Sequence, residues 1–147
     1  MLPVTSDTVR LFLHVFGASV WIGGQVVLAA IVPVLRPVGA EAVSAAARRF
    51  QAVAWPAFGL LLATGVWNLA DLGWDQFDGD RGRTLIVKLV MVALSGTCAA
   101  VHSLVAGPRV RRAADERAAR RARALSGATG AGGLVFALAA VFFGVQL

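Results

Sequence analysis

Four long apolar segments dominate the chain, and short polar or basic stretches separate them. The segments cover residues 9–35, 50–72, 85–106 and 125–147. A helix needs about 20 apolar residues to cross the ~30 Å hydrocarbon core of a bilayer, and each segment is that long. The pattern therefore predicts an all-α integral membrane protein, with residues 1–147 forming a single four-helix transmembrane bundle.

The composition agrees with a membrane protein. Hydrophobic residues make up 58% of the chain, whereas soluble domains are usually about half apolar. The first segment has no basic leader and no small-residue cleavage pattern, so we expect a retained helix rather than a signal peptide. The spans leave little room for an extramembrane domain, and the sequence has no hydrolase triad, nucleotide loop or zinc motif. It therefore indicates no catalytic residue and leaves open whether the protein is an enzyme.

The basic residues are distributed as topology signals. The net charge is +6, but the arginines concentrate in the first and third loops instead of forming a nucleic-acid-binding face, so no nucleic acid partner is expected. These arginines are Arg36, Arg48, Arg49, Arg109, Arg111, Arg112, Arg117, Arg120, Arg121 and Arg123. The positive-inside rule places both loops in the cytoplasm and both termini outside it.

The third loop also resembles a short amphipathic helix over residues 115–123. Its arginines would lie at the level of anionic headgroups. The pattern fits either a solvated flank that stops translocation or a specific lipid site.

Polar side chains are expected to meet near the outer surface. His14 and Lys88 each lie ~7 Å below that surface by helix rise, so the two groups share one layer if their helices face each other. Thr64, Asn68 and Asp71 share one face of the second helix and reach the same level. The sequence predicts an outer-leaflet polar chamber, with Trp21 and Gln25 lining its deeper part. A snorkelling lysine, a histidine bonded to a neighbour or a layer that only fixes helix register would give the same pattern.

A second pattern follows the third helix. Spacings of three and four place one set of side chains on a single stripe: Lys88, Met91, Ser95, Cys98 and His102. Thioether, thiolate and imidazole groups favour Cu(I) over hard cations, so the candidate metal ligands on this helix are Met91, Cys98 and His102. Ordinary helix packing is the alternative explanation for Met91 and Cys98. His14 and His102 lie near opposite leaflets, about 15 to 20 Å apart by helix rise, which is too far to share one ion or one haem iron.

Several short motifs resemble the CopD-like copper resistance family. Residues 13–24 read LHVFGASVWIGG, in which His14 is followed by Trp21 and a glycine pair. Thr64-Gly65-Val66-Trp67-Asn68 is similar to the second core helix of that family, and Leu85-Ile86-Val87-Lys88-Leu89 is similar to the start of its third. The resemblance covers most of the chain but only the core unit of the larger family members.

A weaker resemblance links the chain to HemJ-type protoporphyrinogen oxidases. The spacing from His14 to Trp21 and the Lys88-Leu89 pair fit that family, which is taken to use the histidine and the lysine with a b-type haem. Thr97-Cys98 stands where those proteins tend to have Tyr-His, and the next histidine is His102. This departure argues against porphyrinogen oxidation but leaves haem binding open.

Three functions are candidates: the two resemblances imply the first two, and the third does not depend on them. The first is copper transport or homeostasis across the inner membrane, with a periplasmic copper-binding protein as donor and His14 as the outer ligand. The second is a redox role with haem b, held by His14 and Lys88 and lined by Trp21, Gln25 and Asn68. The third is a structural or assembly subunit without a ligand. A bundle this small has little interior volume, so a large ligand would favour a homodimer.

Overall fold

The computed structural model describes residues 4–72 and 77–147, and within these ranges the regular secondary structure is entirely helical. The elements are α1 (Ser6–Leu35), α2 (Ala40–Leu72), α3 (Gly79–Val101), a π-helix (His102–Ala106), α4 (Gly107–Arg111) and α5 (Glu116–Gly144). The chain forms two compact units, and the boundary between them lies between α2 and α3. In the first unit α1 packs on α2, and in the second α3 packs on α5.

The first unit is a helical hairpin held by a close backbone approach. Thr5 caps α1, since its hydroxyl accepts a 3.2 Å bond from the Thr8 amide. Gly39 makes the turn into α2 with a φ of 137°, a conformation that L side chains rarely adopt. A Cβ at Gly17 would lie 3.0 Å from the Ala57 carbonyl oxygen. The absence of a side chain at position 17 therefore lets the two helices approach closely.

The second unit contains an interrupted helix. After α3, the amide of Gly107 donates to the carbonyl of His102, and this i to i−5 bond is the π-helical pattern. The helix then continues through Pro108 and ends at Arg111. Asp115 caps α5, because its carboxylate accepts a 2.7 Å bond from the Ala118 amide. The arginine-rich residues 116–123 are therefore the first turns of α5, and they do not form a separate short helix.

Among the residues that the structure describes, four helices are long and apolar enough to cross a membrane: Ser6–Leu35, Ala40–Asp71, Gly79–Arg111 and Glu116–Gly144. This finding confirms the predicted all-α, four-span architecture of a multi-pass membrane protein. Three of these helices extend well beyond the apolar segments. In α2 and α5 the added residues, 40–49 and 116–124, are mostly alanine and arginine, which favour helix. The predicted orientation, with both termini outside the cytoplasm, stays a prediction.

Candidate metal-binding sites

His14 is held by a hydrogen bond across the first hairpin. Its Nδ1 lies 3.0 Å from the hydroxyl of Thr64, which is only 3% exposed. That hydroxyl donates its single proton to the Leu60 carbonyl at 2.8 Å, so it accepts from the imidazole. The network therefore favours the tautomer with the His14 proton on Nδ1 and the lone pair on Nε2. A metal-binding histidine has this tautomer when its second nitrogen is oriented by a hydrogen bond.

An ion-pair cluster lies on the same face of the first hairpin. Arg10, one turn before His14, forms an ion pair with Asp71 and a second, 3.3 Å contact with Asp7. Its guanidinium carbon lies 5.9 Å from the ring centroid of Trp67, within the range of a cation–π interaction. The Arg10 side chain is 15% exposed. The sequence pattern predicts Asp71 in the polar chamber but gives no indication of Arg10 as its partner.

The other predicted lining residues of this hairpin have local contacts. Trp21 is buried, and its ring stacks on Phe58 at 4.3 Å between centroids, with Trp55 at 5.8 Å. The Gln25 amide donates to the Trp21 carbonyl of its own helix at 3.0 Å. Asn68 is half-buried. These contacts make Trp21 part of the hairpin core, and a cofactor role for the three residues stays a prediction.

In the second hairpin, members of the polar stripe on α3 face α5 at positions where α5 has glycine. Ser95 is 1% exposed, and its hydroxyl donates to the Gly133 carbonyl at 2.8 Å. A Cβ at Gly144 would lie 3.3 Å from both Cε and Nζ of Lys88. Glycines of α5 therefore lie against these side chains of α3, and we call this line of contacts between α3 and α5 the seam.

Cys98 and His102 occupy the middle and the end of this seam. A Cβ at Gly132 would lie 3.4 Å from the Cys98 Sγ, and a Cβ at Gly130 would lie 3.4 Å from the His102 ring. The spacing of four residues puts the thiol and the imidazole on one helix face, as neighbours one turn apart. The π-helix begins at His102, and such interruptions are frequent at functional sites.

His102 has the same tautomer as His14. Its Nδ1 lies 2.9 Å from the Ser126 carbonyl oxygen, which only accepts, so Nδ1 carries the proton and Nε2 the lone pair. The Thr129 hydroxyl lies 3.4 Å from the same nitrogen. Each histidine thus contacts an Ala-Thr-Gly sequence on the partner helix of its own hairpin, at residues 63–65 and 128–130. The predicted site does not include this recurrence, although the repeated tripeptide is visible in the sequence.

The positions of the possible ligand side chains limit how many of them can bind one metal ion. Across residues 4–72 and 77–147, no group of three or more His, Cys, Asp and Glu side chains is arranged to hold a metal ion. Zinc sites of proteins usually use four ligands. A thiolate with an imidazole suits a soft ion that accepts few ligands, and Cu(I) is such an ion.

Comparison with models of known protein families shows which family the chain belongs to. The family model described as copper resistance protein D, CopD, matches residues 44–142, about two thirds of the sequence. The chain belongs to the CopD family. No curated protein and no solved structure matches it. The membership confirms the predicted relationship to copper resistance proteins, whereas the HemJ resemblance stays a prediction.

The CopD match includes some of the candidate site residues and leaves out others. It spans most of α2 and nearly all of α3 to α5, and so includes Thr64, Lys88, Cys98 and His102. His14 lies on α1, before the first matched residue. The predicted meeting of His14 with Lys88 joins residues of different hairpins, and it stays a prediction.

Proposed function

We propose that this CopD-family membrane protein binds Cu(I) at Cys98 and His102 and takes part in copper transport or homeostasis across the inner membrane. One observation carries the proposal. A thiol and an imidazole lie one helical turn apart against the glycines of α5, and Ser126 holds the imidazole with its lone pair on Nε2. These two groups are the soft and borderline ligands that Cu(I) prefers.

Charge neutrality supports Cu(I) over divalent metals. Binding releases the thiol proton, so Cu⁺ with one thiolate and one neutral imidazole has no net charge. A divalent ion with the same ligands would retain one positive charge, and an isolated charge near the bilayer centre costs about 2.5 to 3.5 kcal/mol or more. The apolar surroundings of a membrane helix therefore favour the monovalent ion.

Lys88 does not oppose copper at this site. Lys88 is ten residues from Cys98 along α3, which corresponds to ~15 Å of helix rise. Its ammonium group lies against Gly144, near the C-terminal end of α5. Met91 lies between Lys88 and Cys98 in the chain and is half-buried. It provides a thioether through which Cu(I) would reach the thiolate.

His14 is the proposed second copper ligand of the protein. Its hydrogen bond to Thr64 fixes the tautomer that binds metals through Nε2. If the arginine-rich ends of α4 and α5 lie in the cytoplasm, as the positive-inside rule requires, His14 lies near the outer surface. A periplasmic copper-binding protein would then deliver the ion on that side.

Titration with Cu(I) under reducing conditions tests the site. The purified protein competes with a chromophoric Cu(I) chelator, and we expect Cys98→Ser and His102→Gln each to lose the same copper equivalent. Thr97→Ala is the matched control, because the Thr97 hydroxyl is exposed and donates to Ala93 of its own helix. X-ray absorption of the bound copper should show one sulfur and one nitrogen neighbour. Unchanged affinity in both variants would refute the assignment.

Haem b is the second candidate ligand, and the orientation of His14 favours it. An axial histidine uses one ring nitrogen for iron and is commonly held through the other, as Thr64 holds Nδ1 here. The absorption spectrum of the membrane-extracted protein separates the candidates. A Soret band that disappears in His14→Ala would support haem, and colourless protein with stoichiometric copper would support Cu(I). Protein that holds neither ligand would favour a structural role.

A further inference from the structure

We propose that a groove at the junction of α3, α4 and α5 binds one anionic phospholipid. The groove has a volume of about 620 Å³, and its walls include Arg109, Arg112, Arg121, Leu104, Pro108 and Leu125. We call it the headgroup groove. It lies wholly within the second hairpin, and the site goes beyond copper handling.

The positive charges that line the headgroup groove favour an anionic ligand. Arg109, Arg112 and Arg121 are exposed, and no ion pair joins them to a carboxylate in the part of the chain that the structure describes. The nearby carboxylate of Glu116 faces other arginines instead, with Arg120 at 3.4 Å and Arg123 at 3.9 Å. The groove therefore concentrates three uncompensated guanidinium groups, which bind phosphate through several hydrogen bonds.

The apolar part of the lining identifies the anion as a lipid. The third apolar segment ends at residue 106 and the fourth begins at residue 125, so Leu104 and Leu125 lie at the hydrocarbon side of the groove. Leu104 is 73% exposed. The arginines lie on the opposite side, where the helices leave the bilayer. This arrangement matches a phosphate joined to an acyl chain, whereas free phosphate would gain nothing from the apolar wall.

The position of the groove agrees with the charge distribution of bilayers. Anionic lipids attract arginines near the surface with about 1 kcal/mol per residue. A general attraction would act on every arginine of residues 109–123 alike. A binding groove would depend on the three arginines that line it, and this difference makes the proposal testable.

Native mass spectrometry of the delipidated full chain in neutral detergent provides the test. Phosphatidylglycerol and phosphatidylcholine with identical acyl chains are added in equal amounts. We expect one retained phosphatidylglycerol molecule, with its affinity lowered about fivefold for each arginine replaced in R109Q/R112Q/R121Q. The variant R117Q/R120Q/R123Q removes the same charge from the same segment outside the groove, and we expect it to retain the lipid.

Two further measurements complete the test. Millimolar glycerol phosphate should not displace the lipid, because it lacks the acyl chain. If the triple groove variant does not fold, Arg112→Gln against Arg117→Gln gives the same comparison with single substitutions. Equal loss of lipid in groove and control variants, equal retention of both lipids, or displacement by glycerol phosphate would each overturn the proposal.

Discussion

The ring of His102 lies directly against Gly130, since a Cβ at that position would be in van der Waals contact, 3.4 Å, with its Cε1 and Nδ1, and a larger side chain would have to displace the ring. We expect Gly130→Leu to push the imidazole away from the Ser126 carbonyl and to abolish its copper equivalent. Gly127 is the control, because nothing lies within 4 Å of a Cβ there. The Cu(I) stoichiometry of the two variants checks the prediction. Equal copper loss in Gly127→Leu and Gly130→Leu would contradict it.

Ser95 should contribute to stability through both its hydroxyl and its small size. Ser95→Ala removes the bond to Gly133, and hydrogen bonds between membrane helices average about 0.6 kcal/mol. Ser95→Leu adds volume at a 1% exposed position, and we expect a further loss of about 1 to 3 kcal/mol. Equilibrium unfolding in mixed micelles measures both variants. The exposed Thr97→Val change should have no effect, and a comparable loss there would argue against the helix contact.

Thr64 should determine the tautomer of His14. Thr64→Val removes the hydroxyl that accepts the Nδ1 proton, whereas Thr64→Ser retains it. Nitrogen NMR of labelled histidine distinguishes a protonated from an unprotonated ring nitrogen. We expect the Nδ1–H form in the parent protein and in Thr64→Ser, and a mixture of tautomers in Thr64→Val. A single unchanged tautomer in all three proteins would show that another contact sets it.

Arg10 and Asp71 should behave as an energetically coupled pair. Because Asp71 is about half exposed, solvent screening limits the expected coupling to about 1 kcal/mol. A double-mutant cycle with Arg10→Gln and Asp71→Asn measures it through the free energy of unfolding. The exposed pair Arg83–Asp80 is the control and should couple more weakly. Additive effects at Arg10 and Asp71 would mean that the ion pair does not contribute.

The sequence predicted the spans well because hydropathy reports burial in lipid directly. It missed the full lengths of the helices, since Arg48, Arg49 and the arginines that follow Asp115 are polar and look like loop residues. These residues continue the helices in water, where hydropathy gives no signal but helix propensity does.

The candidate sites were predicted only in part. Spacing was enough to group Cys98 with His102 on one face of α3. Spacing does not identify the groups that face the two histidines, because the hydrogen bonds of His14 to Thr64 and of His102 to Ser126 depend on how each helix is rotated about its axis. The ion pair of Arg10 with Asp71 was missed for the same reason.

The π-helix between α3 and α4 determines which residues lie on each face of the long helix that the three elements form together. In a regular α-helix, the stripe that ends at His102 would continue through positions near 105 and 109. The wider turn adds about one residue, and fully buried Ala106 continues the stripe while Arg109 is exposed. One inserted residue thus keeps the arginines off the face that holds Cys98 and His102. We expect a deletion within residues 103–106 to bring arginine into the contact between α3 and α5, and so to disturb both the proposed copper site and the proposed lipid site.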